Sequence, residues 1–216
     1  MSSFLKKSFE EILSDVIFLF RGYSQVFRAN TQPYRLEILR THDSHYEYRP
    51  EDALVRESLL EHVGMLPILA TYFHPLVEEP VNLGKVLEML AIHDIGEIVF
   101  GDENVFTKKD AKEEAEVEEG FRILHANSHG VYREFKEGTT NEAKFAKSVD
   151  KIAPDILDLI CESEVTRKRL KHFAHIEPGD IVSRIERSKS PSMQWSSFFR
   201  AFHAELMVRL RERLRG

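Results

Sequence analysis

The chain has 216 residues, of which 42% are hydrophobic and 31% are charged, and its formal net charge is −6. That length allows one substantial domain with a core of its own, or two very small ones. An acidic balance without basic runs argues against a general binder of nucleic acids or membrane surfaces, but a small phosphorylated ligand needs only local positive charge.

The single cysteine and the apolar runs indicate the cellular compartment in which we expect the protein. Cys161 cannot form an internal disulfide and lies in an apolar run, so we expect a buried, inert thiol in a reducing environment. The apolar run at 16–20 is too short to span a bilayer, and its acidic upstream flank is unlike that of a signal peptide. These features predict a cytoplasmic protein.

Apolar residues recur at helical spacing through most of the chain. The pattern predicts helices at about 3–28, 33–39, 53–73, 82–93, 107–124, 141–164 and 192–213. Loops are expected at 41–52 and 127–138, and no segment alternates as a half-buried strand would. The sequence therefore predicts an all-α fold, a single domain of about seven to eight helices.

Three of these helices place an ionisable residue on an apolar face. His62 lies within the stripe of one helix, His93 follows the stripe of the next, and Asp150 lies within that of the long later helix. Each alone has an ordinary explanation, such as a hydrogen-bonded core histidine, a histidine at a helix C-terminus or a solvated carboxylate. Together with Asp94 they form a set of two imidazoles and two carboxylates, which favours an open, catalytic metal site.

This ligand set does not identify the metal. Imidazole and carboxylate ligands together suit Mn²⁺, Fe²⁺, Co²⁺ or Zn²⁺, and suit Mg²⁺ less well. We therefore expect a divalent metal ion as the cofactor and leave its identity open among these five.

The order of the four residues resembles the H…HD…D signature of the HD-domain metal-dependent phosphohydrolases, an all-helical superfamily. Residues 93–97 (HDIGE), followed by Gly101 and Asp102, are similar to the HDxxE…GD motif of the 5′-deoxynucleotidases and their eukaryotic HD-domain relatives. Residues 57–62 (ESLLEH) and 148–152 (SVDKI) are similar to that branch's segments around the first and last ligands. The HD-GYP branch fits less well, because Glu97 replaces the lysine of its motif.

The resemblance covers about 36–160 and implies one HD-type domain over residues 1–216. An N-terminal helix at 3–28 and C-terminal helices at 177–214 would pack on that core. The amphipathic first and last helices either cover the core or pair with a second subunit, and we expect a homodimer.

The resemblance also implies a phosphomonoesterase that removes phosphate from 5′-(deoxy)nucleoside monophosphates with metal-activated water. Glu97 would orient or deprotonate that water, or protonate the leaving alkoxide. Asp102 would contact a sugar hydroxyl or support the water, although a loop-capping aspartate explains it nearly as well. The expected partner is a small phosphorylated substrate, with no nucleic-acid polymer and no membrane.

One element of the nucleotidase branch is altered here. That branch carries an Arg-Thr-Gly-Trp-like segment before the first histidine, whereas here Arg40 and Thr41 have no tryptophan nearby and the only tryptophan is Trp195. We expect Arg40 to bind phosphate and Tyr46 or Tyr48 to supply an aromatic wall. Two alternatives stay open: hydrolysis of another small phosphoester, such as a nucleotide pyrophosphate or a cyclic or signalling nucleotide, and a non-catalytic HD-like nucleotide-binding or dimerisation module.

Overall fold

A computed structural model of the protein describes residues 9–103, 110–174 and 178–214. Eleven α-helices and one two-stranded ribbon account for most of these residues. The helices are α1 (Phe9–Gln25), α2 (Pro33–His42), α3 (Leu59–Phe73), α4 (Leu83–Ile92), α5 (Glu97–Phe100), α6 (Asp110–Ile123), α7 (His129–Glu137), α8 (Asn141–Ile160), α9 (Ser163–Ala174), α10 (Pro178–Met193) and α11 (Ser197–Leu214). The strands are β1 (Phe27–Thr31) and β2 (Arg56–Ser58). The predicted all-α class is confirmed, with more helices in the described ranges than the seven or eight expected.

Helix α8 lies at the centre of the bundle and packs against α3, α4, α7, α10 and α11. Its buried face consists of small and branched side chains at helical spacing, which lets its neighbours approach closely. These residues are Ala143, Ala146, Val149, Ile152 and Ala153. Because α3 and α4 pack on this face of α8, the helices that carry or precede His62, His93 and Asp150 converge. Helix α11 covers the core with Phe199, Met207 and Leu210, so the last helix takes the first of its two expected roles.

The ribbon corrects the prediction of a continuous helix at 53–73 and of a chain without strands. Strand β2 pairs antiparallel with β1, with Phe27 opposite Ser58. Helix α3 begins only after β2 because Ser58 and Glu61 form a capping box: the Ser58 side chain accepts from the Glu61 N–H, and the Glu61 carboxylate accepts from the Ser58 N–H at 2.8 Å. Strands of five and three residues are too short to show a clear alternation.

The loop expected at 127–138 is also wrong, because most of it forms α7. Tyr132 and Phe135 lie one turn apart on this helix and are buried, which anchors an otherwise polar segment. The helix ends at Gly138, whose φ of +70° is the left-handed conformation that commonly ends a helix. The helix expected at 141–164 is divided into α8 and α9, while the expected helix start at 107–109 lies outside the described residues.

Among the described residues, no helix is both long and apolar enough to cross a membrane.

Helix α1 provides a test of the predicted homodimer. Its outer face exposes Leu13, Ile17 and Phe20 at the i, i+4, i+7 spacing of a helix–helix seam, while the helix also packs against α3 and α5. We expect the protein to have the mass of two chains in light scattering after gel filtration, and Ile17→Glu to reduce it to one chain. Val208→Glu, at an exposed apolar position on α11, should leave the mass unchanged. A wild-type protein that stays monomeric at micromolar concentration would contradict this prediction.

Candidate metal centre

The four predicted metal ligands lie together where α3, α4 and α8 meet. His62 is in the second turn of α3, His93 and Asp94 directly follow α4, and Asp150 is in the middle of α8. His62 Nε2 lies 3.0 Å from Asp150 Oδ1 and 3.8 Å from Asp94 Oδ2. His93 Nε2 lies 3.1 Å from Asp94 Oδ2 and 3.4 Å from Asp150 Oδ1. Both Nε2 atoms therefore face both carboxylates.

The orientation of His93 leaves one ring nitrogen available. Its Nδ1 lies 2.9 Å from the Leu90 carbonyl oxygen, which can only accept a hydrogen bond, so Nδ1 carries a proton. Its Nε2 is buried and faces the carboxylate oxygens of Asp94 and Asp150. Lys136 Nζ donates to the His93 carbonyl oxygen at 2.9 Å and places a cation at the C-terminal end of α4.

Arg28 lies among the carboxylates of this region. Arg28 of β1 donates from Nη1 to Asp94 Oδ2 at 2.8 Å. The same nitrogen lies 4.0 Å from Glu97 Oε2 and 4.0 Å from Asp102 Oδ1. The Nε atom of Arg28 lies 3.8 Å from Glu57 Oε2. Burial disfavours the charge on Arg28, but Asp102, Asp94 and Glu97 outweigh it and raise the pKa of its guanidinium.

The centre holds more negative charge than Arg28 can neutralise. Burial works against the ionised form of Asp94, but His93 and Arg28 keep the pKa of this carboxyl well below its usual range. Although burial also works against a charged His93, Asp94 and Asp150 raise the pKa of His93 to about 10. In a metal-free centre a proton on His93 thus takes the place of a cation. The two imidazole Nε2 atoms, the two carboxylates and the buried setting together fit a divalent metal ion.

The two predicted catalytic carboxylates lie at the edge of the same group. Glu97 is the first residue of α5, just past the turn that follows His93. Gly101 has a φ of +76°, a conformation that favours glycine, and reverses the chain after α5. Asp102 returns to β1, where its Oδ2 accepts from the Ala29 N–H at 3.3 Å. Both carboxylates thereby reach the surroundings of Arg28.

The structure does not bring Arg40 into this group. Arg40 lies on α2 and forms an ion pair with Glu162, between α8 and α9. Tyr46 donates to Asp52 at 2.9 Å, and Tyr48 is buried in a separate small cluster, so the loop that holds both packs on itself.

The sequence did not indicate Arg28 as a residue of the site, because the helical pattern at 3–28 predicts it at the end of the first helix. One signal was available. The polar residues at 28, 30 and 31 interrupt the helical pattern of the first segment shortly before Pro33.

Comparisons with known proteins agree with this geometry. The family model described as "HD domain" matches residues 48–188, more than half of the chain, and the chain belongs to this family. A predicted metal-dependent phosphohydrolase from Magnetospirillum magnetotacticum has a solved structure with a TM-score of 0.64 and 22% identity, covering 94% of this chain and 95% of that one. The PH0347 protein from Pyrococcus horikoshii has a TM-score of 0.54 and 16% identity, covering 91% and 99%. At these identities the likeness concerns the fold. No curated protein matches the chain significantly.

Metal binding to this centre is expected to release about one proton. Burial and Arg28 lower the pKa of His62, and the pKa values of Asp94 and Asp150 are also lowered, so none of these three has a net proton to release. Only His93, with its pKa raised to about 10, must lose a proton. The apparent affinity for Mn²⁺ should therefore rise with pH by up to about tenfold per unit below pH 10.

Titration calorimetry in two buffers with different ionisation enthalpies would count this proton at pH 7. His93→Ala, which has no such proton to lose, is the matched variant for any residual binding. An affinity that is flat between pH 6.5 and 8 would contradict the prediction.

Proposed function

We propose that the protein is a metal-dependent phosphohydrolase whose metal ligands are His62, His93, Asp94 and Asp150. The observation that carries this proposal is the convergence of two buried imidazole Nε2 atoms on two carboxylates, with the Leu90 carbonyl oxygen at His93 Nδ1 turning His93 Nε2 towards them. The structural neighbour named as a predicted metal-dependent phosphohydrolase supports the same assignment through its shared fold. A bound divalent ion would neutralise a phosphate oxygen and lower the pKa of a coordinated water.

Arg28 is the residue placed to bind the phosphate. Its guanidinium lies beside Asp94, and a planar guanidinium can donate two parallel hydrogen bonds to a phosphate group. A phosphate dianion entering the centre would compete with Asp94 for this arginine. We therefore assign to Arg28 the role that the sequence suggested for Arg40.

Glu97 and Asp102 supply the remaining acid–base and positioning groups. The Glu97 side chain is buried next to Arg28 and can accept a proton from the attacking water or donate one to the leaving alkoxide. Asp102 is held by the Ala29 N–H at the same edge and can accept a hydrogen bond from a sugar hydroxyl. With such a contact the substrate class would be the 5′-(deoxy)nucleoside monophosphates, which carry a sugar hydroxyl as well as the phosphate.

The experiment is phosphate release by the full chain after chelation and addition of Mn²⁺, Co²⁺ or Mg²⁺. The substrates are 5′-nucleoside and 5′-deoxynucleoside monophosphates, nucleoside triphosphates, a cyclic nucleotide and a phosphodiester. We expect metal-dependent release from the monophosphates and none from the chelated protein. If no metal restores hydrolysis of any of these compounds, the chain is not a phosphohydrolase. Turnover of the diesters or triphosphates alone would overturn the monoesterase assignment and leave the hydrolase class standing.

A further inference from the structure

Glu57 is a buried carboxylate that the proposed reaction does not use. It is the middle residue of β2, five positions before His62, and only 1% of the side chain is exposed. Glu57 Oε1 lies 3.9 Å from His62 Nδ1, and Glu57 Oε2 lies 3.8 Å from Arg28 Nε. The carboxylate therefore faces the side of the His62 ring that is turned away from the predicted metal position.

Three atoms in this small region are buried without a hydrogen bond. They are His62 Nδ1, Glu57 Oε2 and Arg28 Nε. The separations of 3.8 and 3.9 Å are slightly longer than a hydrogen bond, so a small shift of the carboxylate would join it to both neighbours. Strand β2 holds Glu57 in place, because the capping box fixes the next residue, Ser58, at the start of α3.

The position of the one proton on a neutral His62 ring decides which nitrogen can bind a metal. His62 Nε2 lies 3.0 Å from Asp150 Oδ1 and faces the predicted metal position. A metal ligand needs that nitrogen deprotonated, and the neutral ring then carries its one proton on Nδ1. His62 is fully buried, so solvent does not reach this proton, and Glu57 Oε1 is the carboxylate oxygen facing it.

We propose that Glu57 is a positioning residue of the metal centre, which accepts a hydrogen bond from the Nδ1–H group of His62 and thereby presents His62 Nε2 to the metal. This inference rests on the proposed metal ligation by His62. Arg28 Nε lies 3.8 Å from the second oxygen of the Glu57 carboxylate, and Arg28 Nη1 lies 2.8 Å from Asp94 Oδ2, so the arginine lies between this partner and Asp94. A carboxylate behind a ligating histidine fixes the orientation of its ring and increases its basicity.

The direct test is the Mn²⁺ affinity of Glu57→Ala and Glu57→Gln, measured by calorimetric titration of the chelated full-length protein. Glu57→Ala should weaken Mn²⁺ binding by about 10- to 100-fold, as is typical of such partners. Glu57→Gln keeps an oxygen that can accept from Nδ1 and should recover most of that loss. Asp155→Asn removes another buried carboxylate, one paired with Lys189 at 2.6 Å, and should leave the affinity unchanged.

A second measurement on the wild type does not depend on whether a variant folds. Nitrogen NMR of the Zn²⁺-loaded protein should show His62 protonated on Nδ1 and coordinated through Nε2. Coordination through Nδ1, or a Glu57→Ala variant that folds and binds Mn²⁺ as tightly as the wild type, would overturn the role of Glu57. A wild type that binds no metal would instead overturn the proposed function, so the two failures can be told apart.

Discussion

Asp150→Ala is expected to lose both its bound metal and its hydrolytic activity. Asp150 Oδ1 lies 3.0 Å from Nε2 of His62 and 3.4 Å from Nε2 of His93, so this one oxygen connects the histidines of two different helices. Burial works against its charge, but its contacts with both histidines hold the pKa of Asp150 well below its usual range. Its removal leaves two imidazoles and one carboxylate, a poorer set of ligands for a hard divalent ion.

The loss of metal affinity should exceed the roughly 100-fold effect of removing an outer partner, because Asp150 is itself a proposed ligand. Phosphate release should fall to the level of the chelated wild type. Elemental analysis of the purified variant and a phosphate assay with added Mn²⁺ measure the two effects separately. Asp155→Asn, on the same helix, should retain both metal and activity. Stoichiometric metal and full turnover in Asp150→Ala would show that the ligand assignment is wrong.

The inward positions of the proposed ligands could be predicted because helical periodicity is local. Each of His62 and Asp150 is flanked by apolar residues one turn away, and such a stripe must face the core wherever the helix packs. The two stripes had to meet because the apolar faces of a single domain share one core. The distances between the side chains depend on the close packing around α8, which the small residues of that helix allow but do not specify.

The surroundings of the ligands could not be predicted, because they come from long-range pairing. Arg28 and Glu57 reach the centre on β1 and β2, strands that are 24 residues apart in the chain and too short to be recognised individually. Gly96 illustrates the same limit. Within the HDIGE motif its need is evident only in the structure, where a Cβ would overlap the carbonyl oxygen of Glu116 in α6.

The sequence and the structure therefore inform on different parts of the site. The periodic pattern predicts the positions of the proposed ligands, which the HD signature also marks. The ribbon of β1 and β2 determines which residues surround them. The proposed substrate binding by Arg28 would therefore depend on the part of the molecule with the weakest sequence pattern. Arg40, chosen from its position before His62, pairs with Glu162, whereas Arg28 contacts the centre itself.

Arg28→Ala is expected to reduce kcat/KM for nucleoside monophosphates by about 100- to 1,000-fold, the effect of losing one well-placed donor to a reacting oxyanion. Metal affinity should not fall, and should increase, because Asp94 and Glu97 lose the cation that partly neutralises them. Arg28→Lys keeps the charge without the planar pair of donors and should recover only part of the activity.

The roles of Arg28 and Arg40 in substrate binding can be distinguished by steady-state kinetics combined with Mn²⁺ titration of each variant. Arg209→Ala, which removes an exposed arginine paired with Glu205 on α11, should leave kcat/KM unchanged. A large loss in Arg40→Ala with wild-type kinetics in Arg28→Ala would return the phosphate-binding role to the loop before His62. If Arg28→Ala loses activity only because it loses metal, Arg28 supports the ligands and does not bind the substrate. Slower turnover with metal affinity kept or increased is the result expected when the guanidinium interacts with the phosphate.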